Sequence, residues 1–379
     1  MGAHGGGVVE RTAPLMPATA YFSQSYAEAR AKFLAATQAA GLHAQTHEHP
    51  LLGRDGERLA MDVVRHGPAD AARLLLISSA CHGVEGFAGS GIQTGLLSNS
   101  AWLAAVQAAA QASDLAVLYI HALNPHGFSW WRRVTQEGVD LNRNFHDFHL
   151  PLPHNAGYEE IATALLPPHW PPAPADAAVL ADYAARHGER ALQAAITGGQ
   201  YSHELGLFYG GRAPTWSQVT LRHVLEEHGQ GAQAVAWIDL HTGLGPSGHG
   251  ERIFAGNEDA PALARARAWW GASVTSLSDG SSSSAPLVGL MWTVISHACP
   301  AAEYTGIALE YGTCPLPQMI EALRADHWLA AHPEAPQPQA SAIKQQIRDA
   351  FYVDTAEWKQ QLLTQALQAA SQALTGLQR

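Results

Sequence analysis

The 379-residue sequence has few cysteines, few charged residues and no long apolar run. Its 3 cysteines lie far apart and form no C-x-x-C pair, which excludes a disulfide framework and predicts reduced thiols in a cytoplasmic protein. No segment approaches the roughly 18 apolar residues of a membrane span. Acidic residues outnumber basic residues, and the net charge of -11 argues against nucleic acid or an anionic membrane as the partner.

The remaining composition is that of an ordinary globular protein, with 47% hydrophobic residues and no break that requires separate domains. Residues 1–20 include Glu10 and Arg11 and lack a continuous apolar core, so we do not expect a signal peptide there. We place a catalytic domain at residues 20–330, with an excursion around 149–214. Residues 339–379 are predicted to form a helical extension that packs on it.

Short apolar segments at 73–80, 115–120 and 234–240 are typical of strands that are buried on both faces. A helix predicted over 92–112 joins the first two strands into a βαβ unit, which indicates a parallel sheet covered by helices. Further along the chain, 149–174 is interpreted as a surface connection and 177–196 as one helix. The fold class predicted from these segments is α/β.

Polar side chains stand where three of the predicted strands end. His82 and Glu85 follow the 73–80 strand, His241 follows the 234–240 strand, and Glu310 lies at the end of an alternating segment, 305–312. Ligands bind at the carboxyl ends of the strands in open α/β sheets. A catalytic zinc keeps three protein ligands and one position for water, and His82, Glu85 and His241 complete such a set. Glu310 is the candidate base for that water.

The second strand is followed by W-R-R at 131–133 and by D-L-N-R at 140–143. Together with H-x-x-E at 82–85, the distant His241 and the late Glu310, this order of motifs resembles the zinc carboxypeptidase superfamily over residues 74–312. It is similar in particular to an uncharacterised bacterial branch, and also to the aspartoacylase/succinylglutamate desuccinylase subgroup. The resemblance implies a three-layer α/β/α sandwich around a mixed, largely parallel sheet, and a metallopeptidase-like hydrolase.

The resemblance also implies a role for each residue of the motifs. His82, Glu85 and His241 would hold Zn²⁺, and Asp140 would orient the first of these ligands. The pair Asn142 and Arg143 would grip a terminal carboxylate of the substrate, and Glu310 would serve as general base and acid. Arg132 would polarise the scissile carbonyl; because Arg133 is adjacent, the alternative that Arg133 faces the cleft stays open.

Three functions remain open at this level. The first is a carboxypeptidase-like hydrolase of small peptides, the second is a deacylase of N-acyl amino acids, and the third is a metal-containing binding protein without catalysis. In the peptidases a tyrosine closes over the substrate, and it has no counterpart here: the serine-rich loop at 280–284 lacks tyrosine, and Tyr304 is too near Glu310. The C-terminal helices are a candidate surface for a homo-oligomer.

Overall fold

The computed structural model describes residues 16–257 and 260–379, so most of the segment considered above as a leader lies outside the described residues. Within the described residues there are seven strands: β1 (Ala44–Leu52), β2 (Arg58–His66), β3 (Arg73–Ser79), β4 (Leu115–His121), β5 (Ala234–Ser247), β6 (Gly250–Phe254) and β7 (Glu303–Gly312). The same residues form thirteen α-helices: α1 (Tyr26–Ala39), α2 (Gly86–Leu97), α3 (Ser100–Ser113), α4 (Pro125–Ser129), α5 (Ala156–Leu165), α6 (Pro174–His187), α7 (Glu189–Thr197), α8 (Trp216–Gly229), α9 (Ala260–Trp270), α10 (Ile295–Ala298), α11 (Leu316–Ala331), α12 (Gln337–Phe351) and α13 (Ala356–Leu377). Short 3-10 turns occur at Ala18–Tyr21, Gly83–Glu85, Leu141–Arg143 and Met291–Val294.

The seven strands form one mixed sheet in the order β1-β2-β4-β3-β5-β7-β6. The four central strands β4, β3, β5 and β7 are parallel, while the edge strands pair antiparallel. The predicted α/β fold with a mixed sheet is therefore confirmed. Parallel pairing is confined to the centre of the sheet, where the buried runs of the sequence lie.

The central strands are apolar on both faces because helices and loops cover both. Along β3 the side chains of Leu75 and Ile77 join one hydrophobic core cluster, and those of Leu74 and Leu76 join another. This alternation follows from the period of two along a strand. It explains why the sequence shows a continuous apolar run rather than an alternating one.

Two predicted helices are wrong in extent. The segment 92–112 contains the end of α2 and most of α3, which begins where the side chain of Asn99 accepts a hydrogen bond of 2.9 Å from the amide of Trp102. The segment 177–196 is divided between α6 and α7 at Gly188, whose φ of 93° is one that glycine adopts readily. The predicted surface connection at 149–174 also contains α5.

The C-terminal helices pack on the sheet and reach the ends of two central strands. The hydroxyl of Thr242 donates to the carbonyl of Phe351 at 2.6 Å, and that of Thr313 donates to the carbonyl of Ala350 at 2.7 Å. Helix α13 then contacts α2, α9 and β5. Among the described residues, no helix combines the length and the apolar character that a membrane crossing requires.

Candidate active site

The site lies at the carboxyl end of β3 and beside its neighbours β5 and β7. His241 and Glu310 lie within these two strands, because β5 extends to Ser247 and β7 to Gly312, so the predicted strand 234–240 is too short. After β3 the chain turns through the 3-10 turn Gly83–Glu85, which carries Glu85 and directly follows His82. A Cβ atom on Gly83 would lie 2.2 Å from the backbone of Gly127, so this close approach requires glycine. The turn places both side chains over the strand ends.

The structure brings His82, Glu85 and His241 together. Their candidate ligand atoms all lie within 4.8 Å of one another, and all three side chains are buried. Two imidazoles and a carboxylate are a donor set that suits zinc. The Nδ1 atom of His82 is buried and has no hydrogen bond among the described residues; it lies 3.4 Å from Oδ1 of Asp140. Nδ1 of His82 thus faces the carboxylate of Asp140, an arrangement that orients a metal-binding histidine.

Arg133 reaches into this cluster. Its Nη1 donates to Oε1 of Glu85 at 2.9 Å, its Nη2 lies 2.7 Å from Nε2 of His82, and its Nε donates to Oδ2 of Asp140 at 3.0 Å. Since a guanidinium can only donate, Nε2 of His82 accepts and the imidazole is neutral. Burial and then Arg133 hold the pKa of His82 well below its usual value. A neutral imidazole is the form that binds a metal.

The second histidine has a carboxylate partner of its own. Nε2 of His241 lies 2.5 Å from Oδ2 of Asp239, and the other oxygen of Asp239 accepts from the Ser78 hydroxyl at 2.6 Å. The Nδ1 atom of His241 faces Oε2 of Glu85 at 3.2 Å. Burial opposes protonation of His241, but Asp239 and Glu85 raise its pKa well above the ordinary value. Asp239 therefore fixes the orientation of the ring and leaves Nδ1 directed at the cluster.

Glu310 lies on β7 directly beside His241 on β5, its partner in the parallel register. Its Oε1 accepts a hydrogen bond of 2.8 Å from the amide of Leu244. Burial and the nearby carboxylate of Glu85 raise the pKa of Glu310 to about 7. A carboxyl group with a pKa near neutrality both takes up and releases a proton readily.

Asn142 and Arg143 line the same cavity from the 3-10 turn Leu141–Arg143. Backbone carbonyls hold the guanidinium of Arg143: Nε and Nη2 donate to Thr197 at 3.3 and 2.7 Å, and Nη1 donates to Asn142 at 2.8 Å. The side-chain oxygen of Asn142 accepts from the amide of Met291 at 2.9 Å. Part of the donor capacity of Arg143 thus remains for a ligand, together with the amide nitrogen of Asn142.

Arg132 is not part of this cluster, which corrects its assignment to the scissile carbonyl. Its Nε donates to Oδ2 of the buried Asp326 at 3.1 Å, and Lys344 reaches the other oxygen of the same carboxylate at 2.6 Å. The two arginines have different partners, Asp326 for Arg132 and the candidate metal cluster for Arg133. Of the two alternatives left open by the sequence, Arg133 is the one that the structure places at the cluster, and its role stays a prediction.

Residues 22–365 match the sequence profile of the family described as "Protein of unknown function (DUF2817)". The chain belongs to the DUF2817 family. No curated protein matches this DUF2817 chain.

Several solved structures are similar to the DUF2817 chain at low identity. Carboxypeptidase A from Helicoverpa armigera is 13% identical, with 86% of this chain and 74% of that chain covered and a TM-score of 0.43. Bovine thrombin-activatable fibrinolysis inhibitor is 15% identical, with 82% and 97% covered and a TM-score of 0.46. The succinylglutamate desuccinylase of Chromobacterium violaceum is 16% identical, with 83% and 72% covered and a TM-score of 0.34. The two groups that the sequence resembles are thus both represented.

The contact between the carboxylate of Asp239 and the imidazole of His241 was not predicted from the sequence. The signal was present, because residues two apart on a strand share a face, and Asp239-Leu240-His241 therefore aligns a carboxylate with an imidazole. The structure also brings Cys81 within coordinating reach of Asp239 and His241. In this DUF2817 protein the thiol of Cys81 is fully buried, and burial and then Asp239 raise its pKa well above the ordinary value.

Proposed function

We propose that this protein is a zinc-dependent hydrolase that cleaves an amide bond next to a carboxylate-bearing group. The observation that carries the proposal is the convergence of His82, Glu85 and His241, with donor atoms within 4.8 Å of one another, beside Glu310 in the wall of one cavity. A bound Zn²⁺ would supply positive charge that makes a water molecule acidic and polarises a carbonyl group.

The residues of the chain would perform the proton transfers and hold the charges. Glu310 would accept the proton of the attacking water, and the same proton would pass to the leaving amine as the C–N bond breaks. Arg133, whose N–H groups point into the cluster, would donate to the carbonyl oxygen as negative charge develops there. Arg143 and Asn142 would bind the substrate carboxylate with their remaining donors.

The deacylase function is the second candidate. The observation that favours it is the sequence Asp239-Leu240-His241-Thr242, which is closer to the aspartoacylase-like pattern and which the structure shows as a carboxylate–imidazole pair. The third candidate, a binding protein without catalysis, is favoured by the absence of any tyrosine in the sequence between Tyr209 and Tyr304.

One experiment separates the three candidates. Purified protein is loaded with zinc, its metal content is measured, and a panel of dipeptides and N-acyl amino acids is assayed for hydrolysis. His82→Ala and His241→Ala should lose bound zinc, whereas Glu310→Gln should keep it and lose at least about 100-fold in turnover. Undiminished zinc in both histidine variants would contradict the metal site. Cleavage of acyl amino acids alone would select the deacylase, and tight binding without any cleavage would select the binding protein.

We extend the proposal to the architecture, the domain boundaries, the location and the partners of the protein. We place the site in a three-layer α/β/α sandwich, which is supported by the core clusters on both faces of the sheet. The catalytic domain would comprise residues 20–330 and the C-terminal extension 339–379. The substrate would be a small peptide or an N-acyl amino acid in the cytoplasm, with no nucleic acid or membrane as partner. A homo-oligomer would form through the C-terminal helices.

A further inference from the structure

His82 and His241 of the candidate metal cluster line one part of a larger cavity. The far part of this cavity, here called the apolar arm, has one face of β5, β7 and β6 as its floor. Trp237 and Ile253 contribute to this floor, and so does Ala308, which is partly exposed while its neighbours Ile307 and Leu309 point into the core. On this face Trp237, Ala308 and Ile253 are apolar, and Asp239, the register partner of Ala308, is the charged residue beside them.

The roof of the apolar arm is the segment 284–292. Its contributing side chains are all uncharged, and the larger ones are Leu287, Leu290, Met291 and Trp292. Backbone contacts fix the segment: the amide of Val288 donates to the carbonyl of Gly198 at 3.2 Å. The carbonyl of Gly289 accepts from Phe145 at 3.1 Å. These hydrogen bonds fix the position of the segment that covers the apolar arm.

Most ionisable groups of the cavity stand at the metal end or are paired, and Arg143 is bonded to the carbonyls of Thr197 and Asn142. The buried hydroxyl of Tyr304 also lines the cavity; it has no hydrogen-bond partner among the described residues, and burial raises its pKa well above the ordinary value, so it carries no charge. His82, Arg133, Glu310 and their partners surround the candidate metal cluster. Asp239, which lies nearest to the floor of the arm, is bonded to Ser78 and His241. A charged group entering the arm would lose its hydration and find no counter-charge, which is unfavourable by several kcal/mol. A bulky apolar group would lose no hydrogen bonds with water, and the burial of its apolar surface would stabilise the complex.

We propose that the substrate carries, beside the scissile amide and its carboxylate, one bulky uncharged apolar group that occupies the apolar arm. This inference rests on the proposed function, because it names the substrate class of the same site. It predicts amides of leucine- or phenylalanine-like amino acids in place of those of glycine, lysine or aspartate. Ala308 sets the depth of the arm, because a larger side chain at this position would project from the floor into the space that the apolar group needs.

Hydrolysis tests the proposal with one acyl group and a graded series of amino acids. We expect kcat/KM to rise about fourfold for each methylene added to an aliphatic side chain, as burial of one methylene predicts. Lysine and aspartate derivatives should fall below the glycine derivative. In Ala308→Phe the preference for large side chains should disappear, so that the ratio of kcat/KM for the leucine derivative to kcat/KM for the glycine derivative falls toward one. Ala301→Phe, at an exposed position just before β7, is the matched control and should retain the preference.

Ligand binding separates failure of this inference from failure of the proposed function. Trp237 and Trp292 line the arm, so the binding of simple carboxylates is followed by tryptophan fluorescence, from acetate through hexanoate to 4-phenylbutyrate. Affinity that rises with apolar size in the parent and not in Ala308→Phe supports the arm even if no amide is cleaved. Ala308→Leu gives the same comparison if the phenylalanine variant does not fold. Affinity that is independent of size, or that is highest for charged chains, overturns the proposal whatever the hydrolysis assay shows.

Discussion

Replacing Asp239 with asparagine tests the structural argument for the candidate metal site most directly. The carboxylate of Asp239 is almost fully buried and has two short contacts, 2.5 Å to Nε2 of His241 and 2.6 Å to the hydroxyl of Ser78. The substitution preserves the shape of the side chain and removes the charge that holds the N–H of His241. Hydrogen bonds to charged groups contribute about 1.5 to 3 kcal/mol, and carboxylates behind a metal-binding histidine change metal affinity by about 10- to 100-fold.

We therefore expect Asp239→Asn to bind zinc about 10- to 100-fold more weakly than the parent, measured by competition with a chelator of known affinity. Ser78→Ala removes one hydrogen bond to the same carboxylate but leaves its charge in place, and should weaken zinc binding less, about fivefold. Asp70→Asn, at an exposed position, is the control for the loss of one negative charge. If Asp239→Asn binds zinc as tightly as Asp70→Asn does, Asp239 does not orient His241 and the reasoning is refuted.

Three further predictions follow from contacts around the site. Arg133→Ala should lower kcat about 100- to 1000-fold, whereas Arg132→Ala should leave kcat close to the parent value and lower the free energy of unfolding; equal kinetic effects would contradict the assignment. Burial disfavours the charged form of Asp326, yet Lys344 and Arg132 hold its pKa at about 2. Because the unfolded pKa is about 3.9, the carboxylate contributes about 2 to 3 kcal/mol that is fully present above about pH 5 and is lost as the pH falls through about 2. Acid unfolding of Asp326→Asn should lack this component, and an unchanged pH profile would refute it. Gly289→Ala should destabilise the protein by more than about 1 kcal/mol in chemical denaturation, because φ is +67° and the new Cβ would lie 2.2 Å from a backbone oxygen; a neutral result would mean that the roof segment moves freely.

The sequence predicted the parts of the fold that depend on local pattern. The apolar runs at β3, β4 and β5 identified the parallel centre of the sheet, and the positions of His82, Glu85, His241 and Glu310 at the ends of apolar segments predicted that they lie close together. In the structure His241 and Glu310 lie within β5 and β7, which extend past them. These predictions succeed because buried strands have a distinctive composition and because parallel strands end on the same side.

The sequence could not predict features that depend on backbone geometry or on distant contacts. The breaks at Asn99 and Gly188 divide helices whose composition alone is compatible with one continuous helix. Which of Arg132 and Arg133 reaches the cluster depends on distant partners, Asp326 for the first and Glu85 for the second, which a motif does not encode. The apolar arm combines side chains from separate strands with the segment 284–292, so its character appears only when the chain is folded.

Hydrogen bonds from Thr242 and Thr313 to the last turn of α12 connect the C-terminal helices to the candidate active site. Each threonine lies within three residues of a central site residue, His241 or Glu310, and each uses a backbone acceptor that only the folded helix presents. Shortening the chain ahead of residue 350 would release both strand ends together. The last turn of α12 therefore supports the segments that directly follow His241 and Glu310.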